Sequence, residues 1–237
     1  MSFDPYEFDR SMQPGGVYTL GQYTAKTFLW MMLGLLVTFG VAAVGYVTDL
    51  TWVLYRDVPG LHWILLAATL ILSITMVHRI EKMSVTSAVV MFLAFSALFG
   101  ITMSLYMYVF RMTSFILIFL LTALYFGGLA AYGYLTKADL SGLRPILFGG
   151  LIFLLIFALL SMLIPGLEAM DRFVCLAGIV IFLGYTAYDT QRIKAFYTYY
   201  AGYPDMLAKA SIFSALQLYL DFINLFVYLL RYVGRRK

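Results

Sequence analysis

The stretch SIFSALQLYLDFINLFVYLLRY, residues 211–232, decides the fold of this chain. It is long and apolar enough to cross a lipid bilayer, which takes about 20 residues as a helix. Yet an aspartate, Asp221, stands near its middle. A charge at that depth costs at least about 2.5–3.5 kcal/mol, so the carboxyl group must be protonated, paired or hydrated. We therefore expect this helix to lie inside a protein bundle.

Polar residues recur along the same stretch at helical spacing. Successive members are three or four residues apart and share one face of a helix: Ser214, Gln217, Asp221, Asn224 and Tyr228. The opposite face is wholly apolar: Phe213, Leu216, Leu220, Ile223 and Val227. Because lipid offers no hydrogen-bond partners, the polar face is expected to look onto protein or a water-filled cavity.

The composition of the whole chain is that of a membrane protein. Of its 237 residues, 63% are hydrophobic and 12% are charged, whereas soluble domains carry about 25% charged residues. Seven apolar segments are long enough to span a bilayer: roughly 27–48, 61–80, 85–109, 113–135, 145–164, 173–193 and 211–232. We predict an all-α integral membrane protein, with a polar cytoplasmic N-terminal segment, 1–26, and a seven-helix transmembrane domain, 27–237.

Basic residues indicate the orientation, since Lys and Arg are enriched in cytoplasmic loops. With a cytoplasmic N-terminus, nine of them fall on the inside: Arg10, Lys26, Arg79, Lys82, Lys137, Arg144, Arg192, Lys194 and Lys209. Three fall in outer loops: Arg56, Arg111 and Arg172. Complete crossing of the last helix, which we favour, would put four more outside: Arg231, Arg235, Arg236 and Lys237. We predict a multi-pass inner-membrane protein whose net charge of +4 sets orientation rather than binding nucleic acid.

A second acid, Asp189, lies in GYTAYDTQRIK, residues 184–194, and is the only other acid within a predicted span. If the sixth and seventh spans pack together, Asp189 and Asp221 can share one proton and titrate as a coupled pair. When deprotonated, the two carboxylates offer hard oxygen ligands suited to Ca²⁺. Asp189 stands near the end of its span, so pairing requires that helix to sit deeper or to continue into AFYTYY, residues 195–200.

Other polar residues are less specific. Arg79, at the cytoplasmic end of the second span, is a candidate counter-charge for Asp189; the alternative is a plain anchor at the membrane surface. The single cysteine, Cys175, excludes an intrachain disulfide and a cysteine metal cluster. We find no nucleotide motif or His/Cys cluster, and we expect no resident cofactor.

Two motifs, YTAYDTQRIK at 185–194 and LYLDFINLFVYLLR at 218–231, resemble those of the Bax-inhibitor-motif family of membrane proteins. The resemblance covers residues 20–234 and includes three further stretches: TFLWMMLGLLVTFGVAAVGY at 27–46, EKMSVTSA at 81–88 and GYLTKADLSGL at 133–143. It implies seven transmembrane helices, six of them wrapped around a central C-terminal helix. It also implies a pH-sensitive leak path for calcium and other cations.

The resemblance assigns roles to individual residues. It implies that Asp189 and Asp221 form a di-aspartyl pH sensor near the cytosolic mouth of the path, and that Arg79 latches the closed state. Arg231 matches a further arginine after the last helix. Some bacterial relatives carry an acid inside the second span, which in this chain holds only His62, Thr69, Ser73 and Thr75 as polar groups.

Two other functions compete with a leak channel that handles Ca²⁺ and protons. The resemblance implies a link to a membrane quality-control protease, for which residues 1–26 would be the docking segment of a regulator. An intramembrane aspartyl protease also needs two aspartates on adjacent spans, one protonated and one ionised. Leu218, Tyr219 and Leu220 precede Asp221 where such proteases carry Gly-x-Gly, which disfavours the protease. We expect a protein that is not an enzyme.

Overall fold

A computed structural model describes residues 19–79 and 82–237, and these residues form an all-α fold. In chain order the helices are α1 Leu20–Val47, α2 Leu50–Asp57, α3 Leu61–Arg79, α4 Val85–Val109, α5 Met112–Leu135, α6 Leu143–Leu163, α7 Asp171–Tyr199 and α8 Pro204–Val233. A 3₁₀ turn, Leu167–Met170, precedes α7. All of these helices except α2 include a segment long and apolar enough to cross a membrane. The seven predicted spans are confirmed.

The first helix begins seven residues before its predicted span. Thr19 and Gln22 form a capping box, in which the Gln22 backbone N–H donates to the Thr19 hydroxyl and the Thr19 N–H donates to the Gln22 side chain. These bonds satisfy two backbone N–H groups at the start of the helix. Most of the predicted polar segment, residues 1–18, lies outside the described residues. In its described part, 19–26, Thr19 caps α1 and residues 20–26 belong to that helix.

The sequence did not predict α2, which is too short to read as a span. It follows Asp49, whose φ of 53° is left-handed. Tyr108 donates a hydrogen bond of 3.0 Å to the Asp49 carboxylate. This contact fixes a turn that places α2 beside α1 and α4.

The last helix, α8, forms the core of the bundle. It packs mainly against α1, α4, α5 and α7, while α3 packs on α4 and α6 packs on α7. Leu218, Tyr219, Ile223 and Leu225 of α8 are fully buried. The implied arrangement of six helices around the last one therefore consists of four inner helices and two outer ones.

The chain after α8 is bound at the end of the bundle opposite to the start of α8. The Arg111 backbone N–H donates to the Arg235 carbonyl, and the Lys237 N–H donates to the Val109 carbonyl, both at 3.0 Å. The Lys237 ammonium also donates to the Tyr46 hydroxyl at 2.8 Å. Since these partners lie at the ends of α1 and α4 and just before α5, α8 runs through the whole bundle. Its complete crossing of the membrane stays a prediction.

Candidate functional site

Helices α7 and α8 lie antiparallel, and ring contacts fix their register. Phe182, seven residues before the aspartate of α7, packs on Tyr228, seven residues after the aspartate of α8, with ring centroids 5.8 Å apart. Phe196, seven residues after the first aspartate, packs on Phe213, eight residues before the second, at 6.2 Å. Midway between these contacts the two aspartates come to the same level.

Two glycines allow α7 to approach its neighbours closely. A Cβ atom at Gly178 would lie 2.7 Å from the ring of Tyr228. A Cβ atom at Gly133 of α5 would clash with the backbone of Ala187, two residues before Asp189. The close approach at Gly133 brings α5 against the aspartate-bearing part of α7.

Pairing of Asp189 with Asp221 requires the helix that carries Asp189 to continue beyond its predicted span. It does so, because α7 extends to Tyr199, into the AFYTYY stretch. Asp189 is 7% exposed and Asp221 is 4% exposed, and the two carboxyl groups lie within electrostatic range of each other. The Tyr185 hydroxyl, one turn before Asp189, lies within electrostatic range of both carboxyl groups. The structure therefore brings together the two acids that the sequence singled out.

The two acids differ in their partners. The Oδ2 atom of Asp221 is buried and has no hydrogen-bond partner among the described residues. Leaving a buried acceptor unpaired costs about 1–3 kcal/mol, and more for a charged group. Binding of a proton, a water molecule or a cation would therefore stabilise Asp221. A residue with this property is suited to a proton or cation site.

Asp189 has a cation beside it on its own helix. The guanidinium of Arg192 lies 3.5 Å from its Oδ1 atom, at i,i+3 spacing. The same guanidinium lies over the rings of Tyr188, at 5.6 Å, and Phe196, at 5.0 Å. Because the Arg192 side chain is 34% exposed, solvent screens this pair and leaves it modest in strength.

Arg79 lies elsewhere. It is the exposed last residue of α3, a helix that packs on α4 rather than on α7. Among the described residues its side chain has no hydrogen-bond or ion-pair partner. The charged neighbour of Asp189 in this structure is Arg192, which sequence reasoning treated only as a basic residue at the membrane surface. A latch formed by Arg79 stays a prediction.

The five residues of the polar face of α8 are buried to different degrees. Ser214 is buried, and its hydroxyl lies close to that of Tyr23 in α1. Gln217, Asn224 and Tyr228 are half-buried. Asn224 donates to the Leu220 carbonyl of its own helix at 2.8 Å. One acceptor of this face, the Oδ2 atom of Asp221, is thus buried without a hydrogen-bond partner among the described residues.

Threonines of α1, which the sequence analysis did not single out, tie α1 to the central helix. The hydroxyls of Thr27 and Ser211 are hydrogen-bonded at 3.1 Å, and those of Thr38 and Tyr219 at 2.6 Å. Thr38 also donates to the Ser96 carbonyl of α4 at 2.8 Å. The available signal was the spacing of Thr27 and Thr38, three helical turns apart on one face.

Gln191 ties the loop between α5 and α6 to α7, two residues beyond Asp189. Its amide donates to the Ala138 carbonyl at 2.7 Å, and its carbonyl oxygen accepts from the Leu140 N–H at 2.9 Å. In the same loop the Ser141 N–H and hydroxyl donate to Asp139. These hydrogen bonds lower the pKa of the exposed Asp139 carboxyl below its ordinary value of 3.8.

Arg231 pairs with Asp171, the first residue of α7. The thiol of Cys175, one turn further along α7, points at the same carboxylate with a sulfur–oxygen distance of 3.7 Å. Arg231 is ten residues beyond Asp221, about 15 Å along the helix. It therefore belongs to the opposite end of the bundle and does not contact the aspartate pair.

The aspartate pair lacks the donor set of a closed metal cage. In the ranges 19–79 and 82–237, no group of three or more His, Cys, Asp or Glu side chains could hold a metal ion. Calcium takes six to eight oxygen ligands, so two carboxylates alone leave most of its coordination to other oxygens. Calcium binding by Asp189 and Asp221 stays a prediction.

Fold and site together define a class, namely an all-α protein with seven membrane spans whose central last helix shares a buried pair of aspartates with its neighbour. A sequence profile of the family described as "Inhibitor of apoptosis-promoting Bax1" matches residues 20–237. This chain belongs to that family, as the sequence motifs predicted.

Relatives in bacteria match over nearly the whole chain. The chain is 37% identical over 233 residues to inner membrane protein YbhL of Escherichia coli K12, covering 97% of each chain. It is 34% identical over 218 residues to an uncharacterized protein of Rickettsia prowazekii, covering 92% of this chain and 91% of that one. Identity to an uncharacterized protein of Borreliella burgdorferi is 31% over 231 residues, covering 97% and 98%.

Proposed function

We propose that this protein is a pH-sensitive leak for calcium and other cations, in which Asp189 and Asp221 sense protons. One observation carries the proposal: two carboxyl groups from adjacent helices are buried together, and one of them has an oxygen atom without a partner. Buried acids inside membrane spans mark ion or proton pathways by default. The E. coli relative is named as an inner membrane protein, and we assign the same membrane to this chain.

The pair is suited to act as a switch on the contact between α7 and α8. With one proton shared, the carboxyl groups bond to each other and hold the two helices together. Loss of that proton leaves two negative charges buried side by side. Arg192 offsets only the charge of Asp189. Repulsion then favours separation of the helices, so the leak opens as the pH rises. A difference of one pKa unit between closed and open states is worth about 1.4 kcal/mol, which changes the populations roughly tenfold.

The test is calcium flux into dye-loaded liposomes between pH 6 and 8, for the native protein and for Asp189→Asn, Asp221→Asn and the double variant. Asp139→Asn is the matched control, because Asp139 is exposed and its lowered pKa keeps it ionised throughout this range. We expect flux to rise with pH in the native protein and the control, and to be independent of pH in the double variant.

Two results would count against the leak. Flux no greater than that of empty liposomes at every pH would exclude a leak channel. A full native pH response in the double variant would exclude Asp189 and Asp221 as the pH sensor. Deletion of residues 1–18 separates the leak from docking to a membrane protease. A leak survives the deletion, whereas a docking function that depends on this segment is lost.

A further inference from the structure

A cavity of about 550 Å³ lies between α6, the start of α7 and the end of α8, away from the aspartate pair. This volume is in the range of small-ligand sites. Part of its lining is apolar: Leu154, Phe157 and Val174. Another part is charged: Asp171, Arg231 and Arg236. The cavity exists because α6 packs on α7 and stands away from α8.

The apolar and charged parts lie at different depths. Leu154 is nine residues before the end of α6, about 14 Å inside the helix end. Asp171 is the first residue of α7, and Arg231 is two residues from the end of α8. The charged rim is thus at the membrane surface, and the apolar part reaches into the hydrocarbon region. A phospholipid has the same order along the membrane normal, with its phosphate at the surface and its acyl chains below.

The three charged residues of the rim carry one net positive charge. Arg231 is paired with Asp171, whereas the Arg236 side chain is exposed and has no ion-pair or hydrogen-bond partner among the described residues. The Arg236 backbone is held by a β-bridge to Phe110, which keeps this arginine at the rim. One net positive charge complements the single negative charge of a phosphodiester, and arginine matches phosphate geometry well.

We infer that this cavity binds one anionic phospholipid. Its phosphate lies on Arg236, next to the Arg231–Asp171 pair, and one acyl chain lies against Leu154 and Phe157. A lipid rather than free phosphate is the occupant because the deep part of the site is apolar and phosphate alone would leave it unfilled. The bound lipid would bridge α6 to the end of α8.

The probe is dioleoylphosphatidylglycerol, titrated onto the full-length protein in detergent and counted as bound lipid by native mass spectrometry. Arg236→Gln is compared with Arg235→Gln, since Arg235 is the neighbouring exposed arginine but does not line the cavity. We expect Arg236→Gln to weaken binding about fivefold and Arg235→Gln less than about twofold. A third variant, Ala158→Trp, fills the apolar part of the cavity and should abolish the high-affinity site.

Further probes separate a lipid site from its alternatives. We expect tighter binding of the phosphatidylglycerol than of phosphatidylcholine or dioleoylglycerol, and no displacement by millimolar inorganic phosphate. Equal weakening by both arginine variants overturns the site in favour of general surface charge. Displacement by inorganic phosphate overturns it in favour of a free-anion site, and equal binding of dioleoylglycerol reduces it to an apolar groove. Since both arginine variants lie beyond α8, their comparison remains decisive if Ala158→Trp fails to fold.

Discussion

At the scale of single residues, the two buried aspartates are unequal. Asp189 has the guanidinium of Arg192 beside it, whereas Asp221 is deeper and one of its oxygen atoms has no partner among the described residues. An ionised Asp221 is therefore the more costly of the two. This asymmetry leads to separate expectations for the two positions.

Replacing Asp221 by asparagine keeps the shape of the side chain and removes the charge. We expect Asp221→Asn to unfold at a higher temperature than the native protein at pH 8, by about 2–4 °C for each kcal/mol of repulsion relieved. The difference should shrink at pH 6, where the native pair retains its proton. Thermal unfolding in detergent at both pH values measures this. A variant that is less stable than the native protein at pH 8 would contradict a strained acid pair.

Removing the cation next to Asp189 should shift the response to pH. Without Arg192, ionisation of the pair loses its favourable neighbour, so in Arg192→Gln we expect flux to begin at a higher pH. Stability should change by no more than about 1 kcal/mol, because the ion pair is partly exposed. Lys194→Gln is the control, since Lys194 lies over the Tyr134 ring. An unchanged pH profile in Arg192→Gln would exclude Arg192 from the sensor.

The sequence revealed the two aspartates because acids are conspicuous in apolar runs. It did not identify Arg192 as the partner of Asp189, because an arginine at the end of a span is equally well explained as a surface anchor. The Asp171–Arg231 pair depends on which helix ends meet, and its members are 60 residues apart. Spacing along a chain carries no information about such a contact.

At the scale of helices, buried hydroxyls join α1 to the core. Thr38 is fully buried and bonds both to Tyr219 of α8 and to the Ser96 carbonyl of α4. Three helices therefore meet at one side chain. The sequence analysis did not single out this residue, since a threonine in a span can always bond to its own helix.

Thr38→Val should destabilise the bundle, because it leaves the Tyr219 hydroxyl buried without this partner. We expect a loss of about 1–3 kcal/mol, seen as a lower unfolding temperature. Thr122→Val is the matched control, since the buried Thr122 hydroxyl donates to the Ile118 carbonyl of its own helix. Equal losses in the two variants would show that the contact between helices adds nothing beyond a local hydrogen bond.

Hydropathy predicted all seven spans but not all helix ends. The start of α1 and the last turns of α7 are rich in polar and aromatic residues, so their hydropathy is low. The predicted spans therefore did not include them. The start of α1 has a sequence signal of its own, the capping box formed by Thr19 and Gln22. For α2 the obstacle was length, because eight residues are too few to register as a span.

At the scale of the whole molecule, α8 passes from one end of the bundle to the other. Its start follows the loop after α7, and the chain beyond it bonds to Val109 and Arg111 at the far end. The central position of α8 could be expected from its polar face and from the family motifs. The division into four inner and two outer helices could not, because it depends on helix contacts that a single sequence does not display.

Labelling of single cysteines tests both the crossing and the orientation. In a Cys175→Ser background we expect a cysteine in place of Arg235 to react with a membrane-impermeant maleimide in intact spheroplasts. A cysteine in place of Gly202, in the loop before α8, should react only after permeabilisation. Labelling of both positions from the same side would contradict complete crossing by α8. Reversed labelling would contradict the cytoplasmic N-terminus.

The central helix also has a consequence for biosynthesis, because it is the last of the described helices to leave the ribosome. The six earlier spans enter the bilayer before the helix that they surround has been made. Until residues 204–233 arrive, Thr27 and Thr38 lack their hydroxyl partners on α8. The nascent bundle therefore has a hydrogen-bonding groove facing lipid, and insertion of α8 is the step at which that groove becomes an interior.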